Sequence, residues 1–168
     1  MLNYITYKSM RNTALCVLIA VFFIFVGCKQ KTEDVKVFDV TSDSLVAKIT
    51  GDSIEFVNKE GIHQKWESIA GDKINFDDIV IKTGKITDTT EDYYMLLGTT
   101  TDGNTRIGVL LEKKGDDLYF AKQDNAVVMV SCQGCKVGCD PVVVMQYGKP
   151  LVNCSPCPEC LKQDKFLD

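Results

Sequence analysis

Short apolar runs, separated by turn-forming residues, recur every 8–12 residues or so along most of the chain, the spacing of antiparallel β-sheets. The runs lie at 35–40, 53–57, 79–81, 93–98, 107–112, 118–122 and 126–130. Thr101-Asp102-Gly103-Asn104 is the clearest turn, because Asp-Gly supplies the positive φ of a tight hairpin. Gly115-Asp116-Asp117 and Asp124-Asn125 continue a predicted four-strand meander from 93 to 130. Segment 45–49 reads equally as a short helix capped by Ser42 or Ser44 or as a strand closed by Gly51-Asp52. Segment 63–69 is predicted as a strand or a loop. Met95-Leu96-Leu97 and Val109-Leu110-Leu111 are apolar at successive positions, so both faces of these strands need cover. The expected fold class is all-β, an antiparallel sandwich or small barrel.

The two ends depart from this pattern. Residues 13–26 form an apolar run behind Lys8 and Arg11. At about 1.5 Å per residue a helix there spans roughly 21 Å, short of the ~30 Å hydrocarbon core. A signal-peptide helix fits that length better than a permanent span. At the other end, 142–147 reads as a strand, Gly148-Lys149-Pro150 as a turn and 151–153 as the returning strand. The expected organisation is a signal peptide at 1–27, a polar tether at 28–36, a β domain at 37–131 and a cysteine-rich hairpin and tail at 132–168.

Phe25-Val26-Gly27-Cys28 resembles the lipobox of bacterial lipoproteins, with phenylalanine and valine at the positions usually held by leucine and a small residue. The resemblance implies cleavage between Gly27 and Cys28, diacylglycerol on the Cys28 thiol, and a further acyl chain such as palmitate on the new amine. Each buried methylene contributes about 0.8 kcal/mol, so two or three chains anchor durably where one is marginal. Lys29, where inner-membrane lipoproteins of enteric bacteria carry aspartate, points to the outer membrane of the cell envelope. Arg11 and Arg106 are the only arginines among 19 basic residues, a lysine bias that, with the short lipobox segment, resembles lipoproteins of the Bacteroidota. Asp43-Ser44-Leu45, Asp52-Ser53-Ile54 and Asp88-Thr89-Thr90 resemble the O-glycosylation sites of their exported proteins; the alternative is that these residues cap turns.

Composition adds two points. The net charge of −4 argues against a nucleic-acid partner, and loss of Lys8 and Arg11 with the signal makes the remainder more acidic still. Eight cysteines are many for 168 residues. Cys16 falls in the signal and Cys28 in the anchor. The other six form two groups, Cys132, Cys135 and Cys139, then Cys154, Cys157 and Cys160, on either side of the hairpin. Pairing about that hairpin would bring Cys139 near Cys157 and place the outer cysteines together.

Three chemistries compete for these thiols. Export to an oxidising compartment favours disulfides, which a segment rich in glycine and proline needs for want of a core. Cys132, Cys135, Cys154 and Cys157 resemble a zinc-ribbon ligand set, with Cys139 and Cys160 outside it. Cys154, Cys157 and Cys160 resemble the start of a ferredoxin-like cluster motif, whose final Cys-Pro is replaced at Asp164. Cys157-Pro158-Glu159-Cys160 also has the spacing of a redox dithiol, without a clear helix N-terminus or cation to lower its pKa. Compartment outweighs spacing, so structural disulfides are expected and no cofactor is required.

The remaining candidates have ordinary readings. His63 is the only histidine, so a hydrolytic triad has no signature, and it is expected to form a surface or edge pair with Trp66. Asp77-Asp78 and Asp116-Asp117 offer carboxylates for a hard cation but read as solvated turn charges. Tyr93-Tyr94 and Trp66 suggest either a binding patch or core. The expectation is a non-enzymatic envelope or binding module, held to the membrane by its lipid and open to a protein or glycan partner. The rival is a zinc-binding or thiol-redox lipoprotein. An enzyme acting on an envelope polymer through paired carboxylates is a poorer third.

Overall fold

A computed structural model describes residues 38–41, 43–71, 74–87, 89–135 and 137–167, which all belong to one compact unit. The signal, Gly27, Cys28 and the tether lie outside the described residues. Eleven antiparallel strands and one helix account for most of this unit: β1 (Leu45–Thr50), β2 (Ser53–Phe56), α1 (Lys59–Ala70), β3 (Phe76–Lys85), β4 (Asp92–Thr100) and β5 (Thr105–Lys114), then β6 (Asp117–Phe120), β7 (Lys122–Gln123), β8 (Ala126–Gln133), β9 (Pro141–Gln146), β10 (Lys149–Cys154) and β11 (Leu161–Leu167). The all-β class is therefore observed. No helix among the described residues is long and apolar enough to cross a membrane.

The sheet forks at β5. One edge of β5 pairs with β4, and β4 with β3. The other edge is shared: residues 105–109 pair with β8, and residues 111–114 with β6. From there β8 leads to β11, and β6 leads to β1 and β2. The fork follows from the chain leaving β6 at Ala121, whose N–H still donates to Leu110 O, and turning back through Asp124-Asn125 into β8. Both turn residues have positive φ, 51° and 75°, as a two-residue hairpin turn requires.

The period-2 alternation of the central strands feeds two cores. Leu96, Ile107, Val109, Leu111, Val127 and Met129 point to one face, where β1, β6 and α1 cover them. Met95, Leu110, Val128, Val130 and Cys132 point to the other, beneath the β9–β10 hairpin. This is the physical reason for the successive apolar positions in β4 and β5. The hairpin comes so close that a Cβ on Gly108 would lie 2.7 Å from Pro141 Cβ and 2.9 Å from Met95 Sδ. Only a residue without a side chain fits there.

Four sequence expectations need correction. Segment 63–69 is part of helix α1, neither strand nor loop. Ile62, Trp66, Ile69 and Ala70 recur at helical spacing and face the core, and Asn58 caps the helix by accepting from Gly61 N–H at 2.9 Å. Of the run at 35–40, the described residues 38–40 are not strand; Phe38 instead packs edge-on against Phe120 with ring centroids 6.2 Å apart. The hairpin turn is Tyr147-Gly148, with φ of 50° and 73°, so Lys149 and Pro150 already belong to β10. The predicted C-terminal tail contains β11, which pairs along its whole length with β8. The ambiguous 45–49 segment is strand β1.

Candidate functional site

The six C-terminal cysteines come together where the hairpin meets the end of β8. Their bonds run Cys132–Cys154, Cys135–Cys157 and Cys139–Cys160. Cys132 lies on the hairpin face of β8, so its bond ties the end of β10 to the main sheet. The other two bonds join loop 134–140 to loop 155–160. Cys139 and Cys157 do approach one another, but each is bonded elsewhere. The nested order expected from hairpin pairing is not formed: the first, second and third cysteines of one group bond the first, second and third of the other.

Several polar contacts fix these loops. Ser155 N–H donates to Asp140 O at 2.8 Å, and Asp140 N–H donates to Ser155 Oγ at 2.8 Å. Arg106 on β5 donates from Nη1 to Gly138 O at 3.1 Å, and its Nε lies 3.1 Å from Asp140 Oδ1. At the far end Gly134 N–H donates to Asn104 O, and the Glu159 carbonyl fills the space that a Cβ on Gly134 would need. The resulting module has almost no apolar interior of its own. Covalent bonds and Arg106 replace one.

The zinc-ribbon set Cys132, Cys135, Cys154 and Cys157 is divided between two disulfides. The cysteine sulfurs that converge are a different trio: Cys139, Cys157 and Cys160 lie within 4.8 Å of one another. Reduction would be needed before either set offered thiolates to a metal. The sequence motif Cys157-Pro158-Glu159-Cys160 forms a turn, closed by Cys160 N–H to Cys157 O at 3.2 Å, and its cysteines are bonded to different partners.

On the opposite face of β8 the side chains change from apolar to polar. Val127 and Met129 belong to the core, whereas Ser131 and Gln133, two and four residues on, line an open cleft of about 590 Å³. Thr105 of β5 and Gln163 and Lys165 of β11 share this cleft, and the β4–β5 turn forms one wall. In that turn Thr100 Oγ1 donates to Asp102 Oδ1 at 2.5 Å, and Asn104 supplies its N–H and side-chain amide to the same carboxylate. These donors, Thr100 first, hold the Asp102 pKa below the ordinary carboxylate value. Lys165 Nζ donates to Ile69 O and so ties β11 to the end of α1. The cleft is a row of hydroxyl and amide groups beside the carboxylates of Asp102 and Asp164, suited to hydrogen bonding.

Sequence reading did not single out this cleft. Its one signal was the continuation of the β8 alternation into Ser131 and Gln133, where an inward face turns polar. The other half comes from β11, whose polar sequence gave no strand pattern.

The remaining candidates have structural roles. His63 Nε2 lies 3.2 Å from Phe76 O, and Glu67 Oε1 accepts from Phe76 N–H at 3.1 Å, so both residues clamp α1 to the start of β3. Trp66 is fully buried against Phe76, a correction to the expected surface pairing with His63. Asp77-Asp78 forms a β-bulge that lets Phe76 and Ile79, three residues apart, both enter the core. Asp78 accepts from Lys59 Nζ at 2.7 Å and from Ile79 N–H at 2.8 Å; Lys59 is the main cause of its lowered pKa. Asp117 faces Lys48 at 3.6 Å. Tyr93 and Tyr94 point to opposite cores and form no joint patch. The Ser44 hydroxyl donates to Asp39 O and the Thr89 hydroxyl to Ile86 O. No protein family, curated protein or solved structure matches this chain.

Proposed function

We propose that this protein is an exported, lipid-anchored envelope module that binds a hydroxyl- and amide-bearing ligand without transforming it. The observation that carries the reading is the open cleft of about 590 Å³ in which Thr105, Ser131, Gln133 and Gln163 present neutral hydrogen-bonding groups. Thr105, Ser131, Gln133 and Gln163 all lie on the adjacent strands β5, β8 and β11, so the groups are held in place before any ligand arrives, which limits the ordering cost of binding. Glycans and peptide segments share the chemistry that such a row recognises. The three disulfides support export, since they persist only in an oxidising compartment. Cys28 would hold the module at the outer membrane through its acyl chains.

Arrays of envelope oligosaccharides and of short peptides, probed with the detergent-solubilised protein, test the reading and separate the two ligand sources. Gln133→Ala and Gln163→Ala should each weaken capture by about five- to tenfold, the effect of losing a hydrogen bond worth ~1 kcal/mol. Capture that ignores both substitutions, or none on either array, would remove the cleft from the proposal. Mass spectrometry of the membrane-extracted protein should find an N-terminal Cys28 bearing acylated glyceride. An unmodified Cys28 would overturn the anchor.

The convergence of Cys139, Cys157 and Cys160 favours a second reading, a thiol-redox or zinc-binding lipoprotein. Its mark would be six alkylatable thiols and stoichiometric zinc in protein isolated without oxidant. The first reading requires three intact disulfides instead.

A further inference from the structure

The two loops that carry Cys135, Cys139, Cys157 and Cys160 run antiparallel. Asp140 faces Ser155 at one end, and Gly134 meets Glu159 at the other. In that register Cys139 is level with Pro156, next to Cys157, and Cys135 is level with Pro158 and Glu159, between Cys157 and Cys160. The disulfides nevertheless cross, joining Cys135 to Cys157 and Cys139 to Cys160. The crossing is what places the Cys157 sulfur within 4.8 Å of both sulfurs of the neighbouring bond.

From this we infer that the crossed pair is a thiol–disulfide exchange site, with Cys157 as its pivot and an external thiolate as its substrate. Cys135, Cys157 and Cys160 are partly exposed, whereas Cys132 and Cys139 are buried, so an incoming thiolate meets the Cys135–Cys157 bond first. Attack on Cys135 Sγ forms a mixed disulfide and releases Cys157 as thiolate. Cys157 then attacks Cys139 Sγ, forming Cys139–Cys157 and releasing the Cys160 thiolate. Cys160 attacks Cys135 Sγ, forming Cys135–Cys160 and returning the external thiolate. Three bonds break and three form, the thiolate is regenerated, and no net oxidation occurs. With a dithiol as substrate the sequence stops earlier: its second sulfur resolves the mixed disulfide, the dithiol leaves as a disulfide, and Cys135 and Cys160 remain as thiols. The Cys132–Cys154 bond takes no part, because it lies apart from the trio on the sheet side of the hairpin.

The test is disulfide mapping of the full chain, with thiols outside the cluster alkylated first, incubated with free cysteine and then quenched with acid. Cutting after Lys136, Tyr147 and Glu159 separates the two connectivities. The crossed set leaves two cross-linked species, one of them Cys139 with Cys160. The exchanged set leaves one species in which all four fragments are linked. Conversion of the first pattern to the second, with Cys132–Cys154 intact, is the expected result. A single connectivity that persists until all three bonds are reduced would overturn the inference. The Cys135→Ser variant gives an independent measurement, because it frees Cys157 without added thiol. Alkylating label should appear on Cys160 to an extent comparable with Cys157. Label confined to Cys157 would refute the pivot role, and should this variant fail to fold, the wild-type map still decides.

Discussion

Asp102 shows how a single turn residue serves local folding and the candidate site together. Its carboxylate accepts from Thr100 and Asn104, closing the β4–β5 turn that walls the cleft. Because the folded-state pKa is depressed, the ionised form stabilises the fold above the ordinary carboxylate pKa of about 3.9 and loses that contribution as pH falls through the folded value. Asp102→Asn should therefore be less stable than wild type near neutral pH, and the gap should close in acid. Denaturant midpoints followed by the fluorescence of Trp66, the only tryptophan, measure it. A gap independent of pH would show that the charge contributes nothing. At this scale the sequence was partly legible. Asp102-Gly103 announced its turn because the needed backbone geometry is local, and Gly103 has φ of 69°. Gly108 announced nothing, because its constraint comes from Pro141 and Val152 on a distant hairpin.

Elements were legible where one face is buried and local chemistry closes the ends. β4, β5 and β8 meet both conditions and lie where their apolar runs predicted. Helix α1 carried a helical pattern in Ile62, Trp66, Ile69 and Ala70, but Gly61 in its first turn and the short apolar stripe obscured it. The cap at Asn58 does much to fix where this helix begins. Asn58→Ala should cost about 1 kcal/mol by leaving the Gly61 N–H without its partner. The expected reading is a lower denaturant midpoint with an unchanged slope, since the surface exposed on unfolding stays the same. An unchanged midpoint would mean that the clamp of His63 and Glu67 on Phe76 alone sets the helix start. β11 was illegible for the opposite reason. Lys162, Gln163, Asp164 and Lys165 have no apolar period, and the strand is defined by backbone bonds to β8. Its charges suit an edge strand, which must resist pairing with other chains.

Across the whole molecule, the two cores and the cysteine module divide the work of stability unequally. Both faces of the central strands bury large side chains, each contributing about 1.5–3 kcal/mol. The module beyond the hairpin has no comparable interior, so its order depends on covalent closure. That the cysteines would gather was legible from their placement around a hairpin. Their connectivity was not, because it depends on how the two loops are placed between the hairpin and the main sheet, and β11, which continues from the second loop, had no sequence signal. The bonds also differ in what they secure. Cys132–Cys154 joins the hairpin to the main sheet over the second core, whereas the crossed pair joins two loops to each other and buries only Cys139 in that core. Each bond closes a sequence separation of 21 or 22 residues, so loop entropy alone assigns each about 3 kcal/mol. Native packing breaks that equality. Replacing Cys132 and Cys154 together by alanine should lose the loop term and also loosen the core around Val130, Val143 and Val152. Replacing Cys139 and Cys160 should cost the loop term and the packing of the buried Cys139 side chain, without freeing the hairpin from the main sheet. Thermal unfolding of the two double variants, read through Trp66, should rank the Cys132–Cys154 variant as the less stable. The reverse order would mean that the surface loops, rather than the second core, carry the stability of the C-terminal half.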